Sequence, residues 1–178
     1  MKVILIGGKA RNGKDTFGSF MKEYLESKGK KVCIMQISKY IKHFAIDYFG
    51  WDGREETKPR ELLQELGTGV IREKMGKHYF FVTRLVEDME VLDNFYDIAL
   101  VTDVRLPLEY EFVKEKCPNA IRIHIHRADF ENDLIGKQQK HITETALDNY
   151  DGYDYDIENT TLEKLKEDAI MIADKEVL

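Results

Sequence analysis

The run Gly8-Lys9-Ala10-Arg11-Asn12-Gly13-Lys14-Asp15-Thr16 sets glycines, a lysine and polar side chains at the spacing G-x-x-x-x-G-K followed by Asp-Thr. Glycines let successive backbone N–H groups turn toward one point, and the lysine adds a mobile full charge, so the chemistry on offer is the gripping of a polyphosphate. Gly8, Ala10, Arg11, Asn12, Gly13, Lys14, Asp15 and Thr16 are therefore the candidate nucleotide-binding residues. Loops of this kind usually carry Ser or Thr directly after the lysine, where the hydroxyl ligates Mg²⁺. Here Asp15 stands in that place and Thr16 follows. Two readings are open: the Asp15 carboxylate reaches the metal directly or through water, or Asp15 only favours a helix N-terminus and Thr16 takes the polar role.

Asp103 ends the apolar run DIALVT, a Walker-B-like position from which a carboxylate orients Mg²⁺ or its waters, and Arg105 lies two residues on. Asp15, Thr16 and Asp103 form the candidate metal set. Arginine matters here because a guanidinium grips phosphate oxygens with two parallel hydrogen bonds. Arg60, Arg72 and Arg84 punctuate a helical stretch where a second phosphate would need clamping; a solvated helix face is the plain alternative. Arg72 is favoured because it follows Gly67-Thr68-Gly69. Arg127 could stack on a base or reach the transferring group, and with Lys14, Asp103 and Arg105 it completes the catalytic candidates. The acceptor-binding candidates are Arg60, Gly67, Thr68, Arg72, Arg105, His141 and Glu144. His124 and His126 share a strand face without a third ligand and read as ordinary sheet residues.

The elements that must position these groups follow from hydrophobic periodicity. Lys2–Ile6 is a continuous apolar run, as in a parallel strand buried on both faces. Helical spacing follows the loop, and Lys31–Ser38 is a second strand, giving a βαβ unit. From Lys39 to Leu92 the pattern is helical, with breaks expected at Trp51–Pro59 and at Gly67-Thr68-Gly69. Two glycines inside a helical pattern suggest a backbone passing close to something. Further strands are expected at Asp97–Thr102, Ala120–Arg127 and near Tyr155–Ile157, with a final helix opened by Thr160 and Glu163 at capping-box spacing. The order predicts an α/β protein with a doubly wound, mostly parallel five-stranded sheet flanked by helices. Residues 1–178 are read as one domain with a helical acceptor-binding segment at about 39–92 and a polar lid at about 128–148.

A chain of 178 residues with 43% hydrophobic and 11% aromatic content can bury one sizeable core. Its net charge of −6 argues against nucleic acid as a partner, which needs a broad basic surface. Any anionic ligand must therefore meet a local cationic pocket. No signal peptide, membrane anchor or CxxC cluster is legible, and Cys33 and Cys117 stand far apart, so a cytoplasmic, reducing location is expected and the Asn159 sequon is taken as accidental. Oligomeric state is not readable; a homodimer is compatible with the sequence.

Taken together, GKARNGKDT, ELLQELGTGVIRE, VTDVRLPLEYEFV and HITETALDNYDGYDYDIENTTLEKL resemble the phage-type deoxynucleoside monophosphate kinases, in the same order over nearly the whole chain. That resemblance implies a P-loop kinase fold, ATP and Mg²⁺ as donor pair, and a deoxynucleoside monophosphate acceptor beside the central helices. By the same resemblance Lys14 would hold donor phosphates, Asp15 and Thr16 would lie by the metal, and Arg72 and Arg105 would face phosphates. The turn departs from the family pattern at Leu108, where Asn is usual, and matches it at Asp103, Arg105, Pro107 and Glu109. The rival readings are a P-loop kinase of another phosphorylated metabolite, such as phosphomevalonate, and a regulator that binds ATP without transferring phosphate.

Overall fold

The computed structural model describes residues 1–128 and 141–178. The apolar runs form strands β1 (Lys2–Gly7), β2 (Val32–Met35), β3 (Ile98–Val104), β4 (Ile121–His126) and β5 (Tyr155–Glu158). They make one sheet of order β2-β3-β1-β4-β5, and every neighbouring pair is parallel. The expected mostly parallel sheet is thus all parallel. Its order reverses at β1, so the crevice beyond the carboxyl ends of β1 and β3 is where such a sheet binds ligands.

Strand alternation divides the core between the two faces. Ile4 and Ile6 of β1 pack with Phe17, Met21 and Leu25 of α1 (Lys14–Ser27) and with Leu165, Ala169 and Ile172 of α7 (Leu162–Glu176). On the opposite face Val3 and Leu5 meet Phe81, Val82, Leu85 and Met89 of α4 (Phe80–Leu92), and Tyr110 and Val113 of α5 (Pro107–Lys116).

β2 is shorter than the Lys31–Ser38 run because the Asp103 carboxylate, at the end of the neighbouring strand, accepts the Ile37 and Ser38 N–H groups and turns the chain away. The helical stretch then resolves into α2 (Lys39–Phe49), stopped by left-handed Gly50 at φ 72°. A loop over Trp51–Pro59 leads to α3 (Arg60–Gln64), which runs into a π-helical segment, Glu65–Lys74. The expected break at Gly67-Thr68-Gly69 is therefore a widened helix rather than an interruption. A Cβ on Gly67 would lie 2.9 Å from Ile41 Cδ1, so what passes close to this backbone is α2.

The polar stretch expected as a lid differs in its second part. Short α6 (Ile142–Thr145) follows His141, and both Glu144 and Leu147 are buried, Leu147 against the α4–α5 core. Residues 129–140 of the expected lid lie outside the described residues. α7 is capped by Thr161, whose hydroxyl accepts the Lys164 N–H, one residue later than the Thr160 expected. His124 stacks on Tyr153 at 4.6 Å and pairs with Asp156, as a sheet-face residue does. Among the described residues no helix is long and apolar enough to cross a membrane.

The seating of α7 on one face of the sheet makes a stability prediction within a single helix. Leu165 is fully buried whereas Leu162 is 61% exposed. Leu165→Ala should cost about 2–5 kcal/mol in denaturant unfolding, and Leu162→Ala within about 0.5 kcal/mol. Equal losses would contradict the seating of α7 on the sheet.

Candidate active site

The phosphate-gripping loop leaves β1 through positions only glycine fills comfortably. Gly8 has φ 139°, and a Cβ there would stand 2.2 Å from the Ile125 carbonyl oxygen. Gly13 has φ 100°, with Asn159 Nδ2 2.4 Å from where its Cβ would be. Between them Arg11 is left-handed at φ 60°, a conformation seldom adopted outside glycine. Asn12 Nδ2 donates to the Ile125 carbonyl, and Asn159 donates to the Asn12 carbonyl at 3.0 Å. The ends of β4 and β5 therefore fasten the loop from outside. Asn159, which the sequence marks only as part of a sequon, has this task.

Lys14 opens α1 and is only 5% exposed, with its ammonium donating to the Lys9 carbonyl at 2.6 Å. Burial and then the Arg105 charge lower its pKa to about 7, against the opposing pull of Asp15, Glu144 and Asp103. Thr16 is half-buried and is not among the residues lining the cavity beside the loop, whereas Asp15 is. Asp15 Oδ1 accepts the hydroxyl of Thr102, a residue the sequence reading passed over, at 2.9 Å.

That cavity has a volume of about 570 Å³ and joins the loop to the helical segment. Seven cations line it (Arg11, Lys14, Lys42, Lys58, Arg60, Arg72 and Arg105) against five carboxylates. The excess is the local cationic pocket that an acidic chain requires in order to hold phosphate.

Glutamates hold the two central arginines. Arg72 Nη2 donates to Glu109 Oε1 at 2.9 Å, with the guanidinium over the Phe81 ring. Glu109 Oε2 accepts the Arg105 and Leu106 N–H groups at the start of α5. Burial raises the Glu109 pKa, and Arg72 and the two N–H groups oppose that rise. One carboxylate thus caps a helix and aims an arginine, a role hidden in the turn Asp103–Glu109. Arg105 Nη1 donates to Glu144 Oε1 at 2.8 Å, and Glu144 Oε2 accepts the Ala10 N–H at 2.9 Å. Among the described residues the buried Thr68 Oγ1 and Arg72 Nε have no hydrogen-bond partner.

The remaining candidates sort as follows. Asp103 lines the cavity, but its carboxylate already accepts the Ile37 and Ser38 N–H groups and the Ser38 hydroxyl. Arg60 and Gly67 line the cavity, Arg60 paired with Glu55. His141 accepts the Thr143 N–H as the cap of α6 and stays off the lining. Arg127 is exposed and also off the lining. Arg84 pairs with Glu87 on an exposed helix face.

The sequence model of the deoxynucleotide monophosphate kinases matches residues 25–169. The chain belongs to this family. It is therefore a phosphotransferase of deoxynucleotide metabolism, and membership implies ATP as donor. The P-loop precedes the matched stretch, so motif and family match are separate observations that agree. No curated protein sequence matches the chain. In overall shape it is similar to a sugar kinase from Janibacter sp., at 12% identity and TM-score 0.56 over 99% of this chain and 94% of that one. It is also similar to shikimate kinase from Acinetobacter baumannii in complex with shikimate, at 14% identity and TM-score 0.56 over 100% and 96% of the two chains. Shikimate kinase from Aquifex aeolicus gives 13% identity and TM-score 0.50 over 97% and 96%. At such identities these likenesses speak for the fold alone.

The lowered Lys14 pKa carries a pH prediction. A polyphosphate beside the ammonium favours its charged form and raises its pKa from about 7. Above that pH, nucleotide binding must then take up protons and weaken as pH rises. Calorimetry near pH 8 in buffers of differing ionisation enthalpy should show uptake approaching one proton per ATP. Binding with no proton uptake would contradict the assigned environment of Lys14.

Proposed function

We propose that this cavity transfers the γ-phosphoryl group of ATP to the phosphate of a deoxynucleoside monophosphate, giving ADP and a deoxynucleoside diphosphate. The observation that carries this is the single cavity shared by the P-loop lysine and the two glutamate-held arginines. A loop for the donor and a clamp for an acceptor stand in one enclosure, as direct transfer between two phosphates requires.

In this reading the loop from Gly8 to Asp15 cradles the donor with its backbone N–H groups, and Lys14 neutralises charge on the transferring group. Arg72 holds the acceptor phosphate from the helical side. Arg105, placed against the loop through Glu144, faces the space between donor and acceptor. The attacking atom is a phosphate oxygen already ionised at neutral pH, so no strong general base is needed, and positioning with charge neutralisation lowers the barrier.

The donor set suits Mg²⁺. Among the described residues no group of three or more His, Cys, Asp and Glu side chains could hold a metal by itself. Mg²⁺ bound to ATP takes one or two protein carboxylates and fills its shell with waters and phosphate oxygens. Asp15, on the cavity wall with one hydrogen bond from Thr102, would be its protein-side partner. When bound, Mg²⁺ would spread the charge that develops on the phosphate oxygens. Asp103, occupied by three donors, would position the β2–α2 turn and act on the metal at most through water.

An ATP sensor would have no use for the Arg72 clamp, and a phosphomevalonate-type acceptor lies outside the family match. An acceptor panel decides the matter: ADP release under ATP and Mg²⁺ should rise with one or more deoxynucleoside monophosphates and stay at background with phosphomevalonate. Release independent of every acceptor would overturn the reading. Within it, Asp15→Asn should raise the Mg²⁺ concentration for half-maximal rate by about 10-fold, while Thr16→Val leaves it within about 2-fold. The opposite pattern would assign the metal side to Thr16.

A further inference from the structure

Lys42 belongs to no motif in the sequence and stands in the cavity with Lys14, Asp15 and Asp103. Its ammonium donates to the side-chain oxygen of Gln36 at 2.6 Å. Among the described residues it forms no ion pair, unlike Lys9, Lys39 and Lys58, which pair with Asp148, Asp88 and Glu55. A half-buried ammonium whose hydrogen bond goes to a neutral amide has lost part of its hydration without gaining a direct ion pair, a cost that an arriving anion reduces.

The surrounding structure holds Lys42 in that condition. Asp103 accepts both N–H groups and the hydroxyl at Ile37–Ser38, which sets the start of α2. One turn on, the Lys42 N–H donates to the Ser38 carbonyl at 3.0 Å, while Ile41 and Ala45 face the core. The stem of Lys42 is thereby aimed along the cavity wall, and Gln36, on the preceding turn, steadies its tip. Burial lowers its pKa, the Lys58 charge adds to that, and Asp103, Asp15 and Glu55 oppose it.

We infer that Lys42 is a substrate-contacting residue that binds the phosphate of the acceptor nucleotide together with Arg72. This rests on the transfer reaction proposed above. Two observations choose the acceptor over the donor. Lys42 rides on α2, which packs through Ile41 against Gly67 of the segment that also carries Thr68 and Arg72. The donor side already has Lys14 and Arg105, both next to the loop. An acceptor dianion also needs more than Arg72 provides, because that guanidinium shares its charge with Glu109. A second cation in the same cavity, near Asp15 and Asp103, would neutralise the second charge and orient the attacking oxygen toward the donor.

The test uses the full chain, with Lys42→Gln removing the charge and Lys42→Arg restoring it. Steady-state kinetics with dAMP, dGMP, dCMP and dTMP should show Lys42→Gln raising acceptor KM by about 10-fold or more, with ATP KM changed by less than about 2-fold, and Lys42→Arg recovering most of the loss. Calorimetry adds a readout free of catalysis. The variant should weaken binding of each monophosphate that the wild type binds and leave the matching deoxynucleoside unaffected. If wild-type protein binds monophosphates but transfers nothing to them, the transfer reading falls, and the inference about Lys42 is decided by calorimetry alone. Unchanged acceptor KM and affinity in Lys42→Gln, a loss confined to ATP, or wild-type binding no tighter for monophosphates than for deoxynucleosides would each overturn it.

Discussion

Seven cationic side chains crowd the wall of one cavity in a chain whose net charge is −6, and they repel one another until an anion arrives. Much of the architecture around the cavity answers that repulsion. Glu109 ties Arg72 to the first turn of α5, and Glu144 ties Arg105 to the backbone of the P-loop. Both carboxylates are buried, so each is a fixed counter-charge rather than a mobile one. Lys14 turns back onto its own loop at the Lys9 carbonyl. These contacts keep the cations aimed without filling the cavity, which is the preorganisation that phosphoryl transfer depends on.

The same contacts join elements remote in sequence. The P-loop is held by Ile125 at the end of β4 and Asn159 after β5, so the position of the loop depends on the far half of the sheet. Asp103 reaches sideways to the start of α2, making the carboxyl end of β3 a brace for that helix. Leu147 anchors the residues following α6 in the core, and the Lys9–Asp148 ion pair ties them back to the loop, which keeps Glu144 at the Ala10 N–H. The P-loop, the start of α2, the π-helical segment and α6 are thus coupled through a few polar groups.

What could be read in the sequence was what is local. The strand β1, the glycine loop and α1 are contiguous, and their periods and spacing determine them together, so the P-loop was legible residue by residue. The strands were legible for the same reason, β1 and β3 as short apolar runs buried on both faces and β4 as an alternation of isoleucines with polar residues. The π-helical course of Glu65–Lys74 was not: the two glycines suggested a break, whereas Gly67 is where the segment packs tightly on Ile41, a tertiary contact. Thr102 escaped notice as one more residue of a buried strand, although its hydroxyl meets Asp15 across 87 positions. Glu109 was visible in its turn, but not its service to Arg72, 37 positions away. Lys42 carried no signal at all, since a lysine in an amphipathic helix usually faces water.

The central claim is that donor and acceptor phosphates occupy one enclosure between the P-loop and Arg72. A bisubstrate compound, adenosine joined to a deoxynucleoside through five phosphates, tests it most directly by equilibrium binding. The account predicts tighter binding than ATP or the monophosphate achieves alone, with Lys14→Ala and Arg72→Ala each removing most of the gain. Affinity no greater than that of ATP, unaffected by Arg72→Ala, would mean that the two seats do not share a cavity.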